Sequence, residues 1–463
     1  MKYLYMDRGY KVAYADPEFI AQAGFEKVAY LPFIFDSQLA YHCHGSRFLI
    51  DRGLGAWDPK NRGTDQNSHA PTTNSMKNYA DRLVNFLEWC EVRNLDPMTV
   101  DYKRDLIGRY QKEMLKGVWS RDNRALSERT INVRVDTAVD YLSWMADKAL
   151  RAPFSIPKIT RSIVVNNPKS SRGHLPKEVE VRVGKLREAE GHLTFPEEAE
   201  IAAWLNRLYA KEDSGATVGL IAELVLETGI RREEAASWRL DTLPIKREEW
   251  QIVNPLSQIN HQAVVVTLRY GTKGKEYGRD HSNKIGPSGE ILVPLPLALK
   301  LHHYREKIRP NALGAATRKG VGLAEQRKIQ AEAVHLFLKP DTGKRYTGKN
   351  ILDAWCSVEH PRGWCPHLGR HYWACTTLWR KLQVHFRFLE EALKTELSDD
   401  VLGSIRSNAL SIIRLEIQPQ LRHASEQTTL LYLRWVADRL HTNLNLHDQW
   451  LEKLGDAACG EAS

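Results

Sequence analysis

The clearest pattern in the chain is a helical one that begins near residue 72. Tyr79, Leu83, Phe86, Leu87 and Cys90 fall at i, i+4, i+7, i+8 and i+11, which puts them on one face of a helix. Ile131, Val135, Ala138, Leu142 and Met145 repeat that spacing, and Ser127 stands ahead of them as an N-cap. A further helix is expected between the two, near residues 100–117, so 72–150 reads as a small all-helical domain. Upstream, in residues 1–71, the short runs VAYLPFIF and SRFLI suggest a few strands in an accessory segment of unassigned role. Downstream, Thr194-Phe-Pro-Glu197 has the form of a capping box before EEAEIAAWLNRLYA, and ATVGLIAELVLETGI continues the helical pattern. HQAVVVTLRY and ILVPLPL read as two β segments around a turn containing glycine and lysine, with helices returning from about residue 347. The expected fold class is therefore a multidomain chain. It pairs a mainly α domain at 72–150 with a mixed α+β, mostly helical domain over 178–463 that holds a small antiparallel sheet.

Charge refines this division. The 463 residues carry 66 Lys and Arg against 57 Asp and Glu, a net +9 that favours a polyanionic partner without naming one. Residues 1–71 balance eight basic against eight acidic side chains. Residues 151–177 hold Arg151, Lys158, Arg161, Lys169, Arg172 and Lys177 with no acid and several prolines. That composition reads as a basic linker able to lie along a phosphate backbone, or simply as a solvated one. MKYLYMDRGYKVAY lacks the apolar stretch of a signal peptide, no run of about 18 apolar residues occurs, and six scattered cysteines do not form a disulfide framework. The expectation is a cytoplasmic protein with no membrane association.

Four separated segments hold the polar residues of interest. TGIRREEA places Arg231 after a glycine at the end of an apolar helix, with Glu234 three residues on. YGTKGKE places Lys273 and Lys275 in the β turn, and PHLGRHYWACTTL puts His367, Arg370 and His371 on one helix. LRHASEQTTLLYLRW sets His423 nine positions before Tyr432. Each alone is weak, since arginines are mostly surface residues and a tyrosine among leucines is mostly core. Together and in this order they resemble the tyrosine recombinase (phage integrase) family of site-specific DNA recombinases, over about residues 72–435. Thr228, Gly229, Ile230, Arg231 and Glu234 match one box. Lys273 matches the hairpin lysine, and His367, Arg370 and His371 a second box. Leu421, His423, Thr428, Thr429 and Tyr432 match the last. Four features depart from the pattern: Gly369 replaces a leucine, Arg422 replaces a glycine, residues 276–290 lengthen the hairpin after Lys273, and some 52 residues separate Arg370 from His423, so that 381–418 reads as a helical insertion.

The resemblance implies a core-binding domain at 72–150, a catalytic domain over 178–463, and strand cleavage by transesterification without cofactor, metal or ATP. Tyr432 would be the nucleophile giving a 3′-phosphotyrosyl link and a free 5′-hydroxyl. Arg231 and Arg370 would clamp the phosphate with forked donors, a geometry lysine lacks. His367 would be the base, His423 a donor to a non-bridging oxygen, and Lys273, or failing it Lys275, the acid at the departing oxygen. Glu234 and His371 would support these residues from behind. The implied partners are double-stranded DNA with specific recombination sites and three further copies of the chain, joined by exchange of a C-terminal helix. An integrase or transposase of a mobile element fits best. A type IB topoisomerase-like or telomere-resolvase-like strand transferase, or a non-enzymatic DNA-binding protein, stands as the alternative. Cys356, His360, Cys365, His367 and His371 also suggest a zinc site, but no tight C-x-x-C accompanies them.

Overall fold

The structure is a computed structural model. It describes residues 9–59, 71–164, 176–188, 192–276, 284–385, 399–422 and 427–439. The chain divides into two compact units, Met1–Glu190 and Gly191–Ser463.

The N-terminal unit is larger than the 72–150 helical domain expected. Strands Lys11–Tyr14 and Pro32–Phe35 pair antiparallel, and helix Cys43–Gly53 follows, capped by His42, whose Nδ1 accepts from Gly45 N at 3.0 Å. Ile34, Phe48, Leu49 and Trp57 share one core with Phe86, Trp89, Tyr110, Leu142 and Trp144 of the downstream helices. The two parts are also stitched by hydrogen bonds, Trp57 Nε1 to Asp147 and Trp144 Nε1 to Asp51, both 2.9 Å. The described residues between 9 and 59 thus contribute to this unit's core. The apolar faces read from sequence form helices Thr73–Val92 and Glu128–Asp147, with Thr72 and Ser127 as N-caps. The element between them winds as π turns over Tyr102–Gln111 and then continues as Lys112–Leu115.

The basic stretch 151–177 is not an extended linker throughout. Lys158–Val164 pairs antiparallel with Pro176–Arg182, Lys158 opposite Arg182. Arg151 is held by the protein itself: its guanidinium donates to the carbonyls of Pro97 (3.0 Å) and Val100 (2.8 Å) and covers the Phe154 ring. Burial lowers its pKa, and its donors are turned inward, so it is not placed to grip DNA. Lys158 meets Glu180 at 2.8 Å on the surface. Lys169 and Arg172 lie outside the described residues, as do the side chains of Arg161 and Lys177.

The C-terminal unit packs helices around one face of a three-stranded antiparallel sheet, order Ile252–Val253, Ala263–Glu276, Lys284–Pro294. Val264, Val266 and Leu268 alternate inward along the middle strand and meet Ile291 and Val293. The capping box precedes helix Glu198–Tyr209 three residues later than expected: Glu197 caps it, and Glu200 Oε2 accepts from Glu197 N at 2.9 Å. Pro196 explains the shift, because the residue before a proline avoids helical dihedrals. Helices return well before residue 347. Leu295–His303 starts directly from the strand through Pro294 and Pro296, and Arg309–Lys319 and Leu323–Glu332 follow.

A second, smaller core in this unit positions the site. Helix Pro366–His385, segments Asp399–Ile412 and Ile413–Ile417, and helix Gln427–Arg439 bury Leu378, Leu382, Ile405, Ile413, Ile417, Tyr432 and Val436 together. The described part of the expected insertion is therefore helical and forms one wall around the tyrosine helix. Trp435 packs on Phe195 (5.8 Å between centroids) and Trp379 (6.3 Å), and Val436 is buried. Residues 440–463, with the expected C-terminal exchange helix, lie outside the described residues. No helix among those described is long and apolar enough to cross a membrane.

Candidate active site

The site forms where two chain reversals meet on one helix, Pro366–His385. Helix Gly215–Thr228 ends at Gly229, whose φ of 65° is left-handed; a Cβ there would lie 2.6 Å from Trp373 Cε3 and 2.7 Å from Leu421 Cδ2. Only glycine suits both the backbone and the space. The reversal sets Arg231 as N-cap of helix Arg232–Ala236, with Glu234 three residues on. Glu234 is 1% exposed, and it accepts from Arg231 N (2.7 Å) through Oε2 and from Arg231 Nη1 (2.9 Å) through Oε1. The backbone turn and the guanidinium are thus fixed by one carboxylate.

Arg370 lies on the Pro366–His385 helix and is 2% exposed. Its Nη1 donates to Gly229 O and its Nη2 to Leu421 O, carbonyls at the ends of two helices, where the helix dipole favours a cation. Its charge has no carboxylate in direct contact through these bonds. Burial first, and the neighbouring Arg231 second, bring its pKa down to about 9, with Glu234 opposing. Arg309 of the same unit is likewise buried on backbone carbonyls; Arg370 differs in lying beside a second guanidinium, Arg231, so an anion there would face two cations.

Gln420 locks the reversal that precedes the tyrosine helix. Its Nε2 donates to Thr228 O (3.0 Å) and Leu292 O (2.9 Å), and its Oε1 accepts from Leu292 N (2.7 Å). Arg422 then adopts φ 50° and ψ 50°, a left-handed conformation that costs a non-glycine residue roughly 1 kcal/mol. The glycine common at this place in the resembled pattern would adopt it without that cost.

Tyr432 is fully buried, and its ring belongs to the small core. Its hydroxyl nonetheless faces polar chemistry, 3.2 Å from His371 Nδ1, and His371 Nε2 is 3.2 Å from His367 Nε2. The three groups form a line from the buried phenol to His367, which is exposed at the rim. The tautomer of His371 with its proton on Nε2 leaves Nδ1 able to accept the phenol proton. Burial, then His367, then Arg370, lower the His371 pKa to about 4. Lost hydration and the guanidiniums of Arg370, Arg231 and Arg232 lower that of His367 as well. Burial raises the Tyr432 pKa while Arg370 and Arg231 oppose the rise. An entering phosphate would offset the positive field acting on both imidazoles.

The structure therefore gathers Arg231, Glu234, His367, Arg370, His371 and Tyr432. The imidazole in contact with the phenol is His371, expected only in a supporting role, and His367, expected as the base, is one step further out. The backbone of Lys273 and Lys275 runs in strand Ala263–Glu276, but their side chains, and all of His423, lie outside the described residues. Sequence reasoning also missed Gln420, whose amide gave no signal. Gly369 has its own explanation: a Cβ there would approach Trp355 Cη2 to 3.0 Å and Leu226 Cδ2 to 3.2 Å, so the bulk that the usual leucine would supply comes from a tryptophan. Among the described residues no three His, Cys, Asp or Glu side chains converge as a metal-binding group.

No protein-family model matches the chain, and no curated protein matches it. Solved structures similar to it include the Tn1549 transposon integrase in complex with circular intermediate DNA, 14% identical with a TM-score of 0.41 over 82% of this chain and 93% of that one. The XerH site-specific recombinase bound to a palindromic difH substrate is 14% identical, TM-score 0.39, over 80% and 78%. XerA recombinase is 14% identical, TM-score 0.29, over 83% and 92%.

Proposed function

We propose that the chain is a site-specific DNA strand transferase of the tyrosine recombinase type, acting as the integrase or transposase of a mobile element. The observation that carries this reading is the Tyr432 hydroxyl on His371 beside a cationic cluster. Arg231 and Arg422 share the carboxylate of Glu234, and Arg370 lies beside them on carbonyls, so the cluster is short of negative charge. A phosphodiester supplies that charge, and its attack by a phenol builds more.

In this mechanism the Tyr432 oxygen attacks phosphorus as its proton passes to His371 Nδ1. Arg231 and Arg370 hold the non-bridging oxygens. The bond from phosphorus to the 5′-oxygen breaks, and Lys273 supplies the proton to that oxygen. The ester is retained on Tyr432, so a 5′-hydroxyl from another duplex can reverse the step with no added energy source. His423 and the four basic residues of 151–177 other than Arg151 and Lys158, namely Arg161, Lys169, Arg172 and Lys177, are candidates for DNA contact. Assembly on paired sites as a tetramer through residues after Arg439 belongs to the same proposal.

The reading is tested with labelled duplexes of randomised sequence nicked at varied positions, in chelator. Wild type is expected to retain label through a denaturing gel, and Tyr432→Phe to shift the duplex in a native gel without retaining it. Retention by Tyr432→Phe would contradict the assignment.

A further inference from the structure

Arg422 has no counterpart among the motif residues, yet its side chain is built into the cluster. Its stem crosses Gly289 on strand Lys284–Pro294, where a Cβ would come within 2.4 Å of Arg422 Cδ, so the bare glycine provides its channel. Its Nη2 reaches Glu234 Oε1, the same oxygen that accepts from Arg231 Nη1. Its Nε and Nη1 are buried and have no partner among the described residues. Its carbonyl faces Arg231 Nη2 at 3.5 Å. Exposure grades across the trio: Glu234 0%, Arg422 13% and Arg231 31% by side chain, so Arg231 is the member nearest solvent.

An oxygen divided between two guanidiniums neutralises neither fully. Without Arg422, both oxygens of Glu234 would serve Arg231 alone, drawing its charge inward and away from an incoming anion. We propose that Arg422 is a positioning residue: it occupies Glu234 from the buried side and so keeps the Arg231 guanidinium charged toward the phosphate. This rests on the strand-transfer reading. The left-handed backbone makes the role separable from folding, because glycine at 422 suits the turn better than arginine does.

The test is the rate of covalent capture of the nicked duplex pool at saturating protein. Arg422→Gly is expected to capture roughly ten- to a hundredfold more slowly, with its thermal midpoint kept. Adding Glu234→Gln to that variant removes the competing charge and is expected to restore part of the rate, a rescue no purely structural role produces. Arg422→Lys, which keeps a cation on Glu234, is expected to fall between wild type and Arg422→Gly. Capture by Arg422→Gly at the wild-type rate overturns the proposal. So does a loss that Glu234→Gln does not relieve, and so does a midpoint collapse in Arg422→Gly, which would make the arginine a structural pin. If Arg422→Gly does not fold, Arg422→Lys with a rate as low as Arg231→Ala overturns it too. A wild type that binds the pool and captures nothing refutes the strand-transfer reading; a capturing wild type beside an equally capturing Arg422→Gly refutes this inference alone.

Discussion

The two units treat charge in opposite ways. In the N-terminal unit several cations each meet an acid, Arg151 on its carbonyls excepted: Arg93 grips Glu113 through Nε and Nη2, Arg182 meets Asp136, and Lys148 reaches Asp51 at 3.2 Å. In the C-terminal unit two guanidiniums, Arg231 and Arg422, share one oxygen of Glu234, and a third, Arg370, is buried beside them on carbonyls alone. A fold assembled only for stability resembles the first arrangement. What sets the second apart is three guanidiniums gathered beside one phenol with Glu234 as the carboxylate they face, a grouping that stability alone does not call for.

Breaking the contrast at its strongest point should have the largest effect. Tyr432→Phe is expected to reduce covalent capture to background while leaving native-gel binding intact. Arg231→Ala and Arg370→Lys should each slow capture on the order of a hundredfold or more, read by quenched-flow trapping, because the fork on the phosphate is lost. Corresponding loss of the Arg93–Glu113 pair should not change the capture rate at saturating protein.

Acid should separate the units next. The depressed His371 pKa keeps the imidazole neutral in the fold, whereas the unfolded chain protonates near 6.5. The unfolded state therefore binds the extra proton first, and the stabilisation present above pH 6.5 is lost as pH falls toward 4. That amounts to about 3 kcal/mol for this group. Glu88 in the N-terminal unit acts with opposite sign: burial raises its pKa to about 7, so its contribution is lost as pH rises from the ordinary carboxylate range toward 7. Denaturant titrations of wild type and His371→Asn between pH 4 and 7 check this, with the variant expected to lose the acid-side slope.

Smaller effects sharpen the comparison. Gly229→Ala imposes strain and a clash with Trp373 and Leu421, and should cost roughly 1–3 kcal/mol of stability together with capture activity. Trp144→Phe removes a donor to Asp51, which Lys148 still holds, and should cost about 1 kcal/mol in thermal unfolding with capture unchanged.

The periodic parts of the fold were legible in sequence. Tyr79 to Cys90 and Ile131 to Met145 are helix faces because burial of one stripe is what the spacing encodes. The boundaries were not, since nothing in VAYLPFIF or SRFLI reveals that Ile34 and Phe48 join the same core as Phe86 and Trp144. At the site, the identities Arg231, Arg370 and Tyr432 could be read from ordered boxes. Their partners are set by three-dimensional reversals: the sequence order His367, Arg370, His371 does not say which imidazole meets the phenol, and the helix turn gives that place to His371. Arg422 was visible only as a departure from a pattern; its role emerges from Glu234 and Gly289, residues far away in the chain.

Strand transfer by this route requires one phenol, Tyr432, to become bonded to DNA. Digesting the covalent complex with nuclease and protease and mapping the nucleotide-bearing peptide by mass spectrometry tests it most directly. The account predicts a 3′-linked nucleotide on Tyr432 within QTTLLYLR; an adduct on any other residue, or a 5′-linked one, would contradict it.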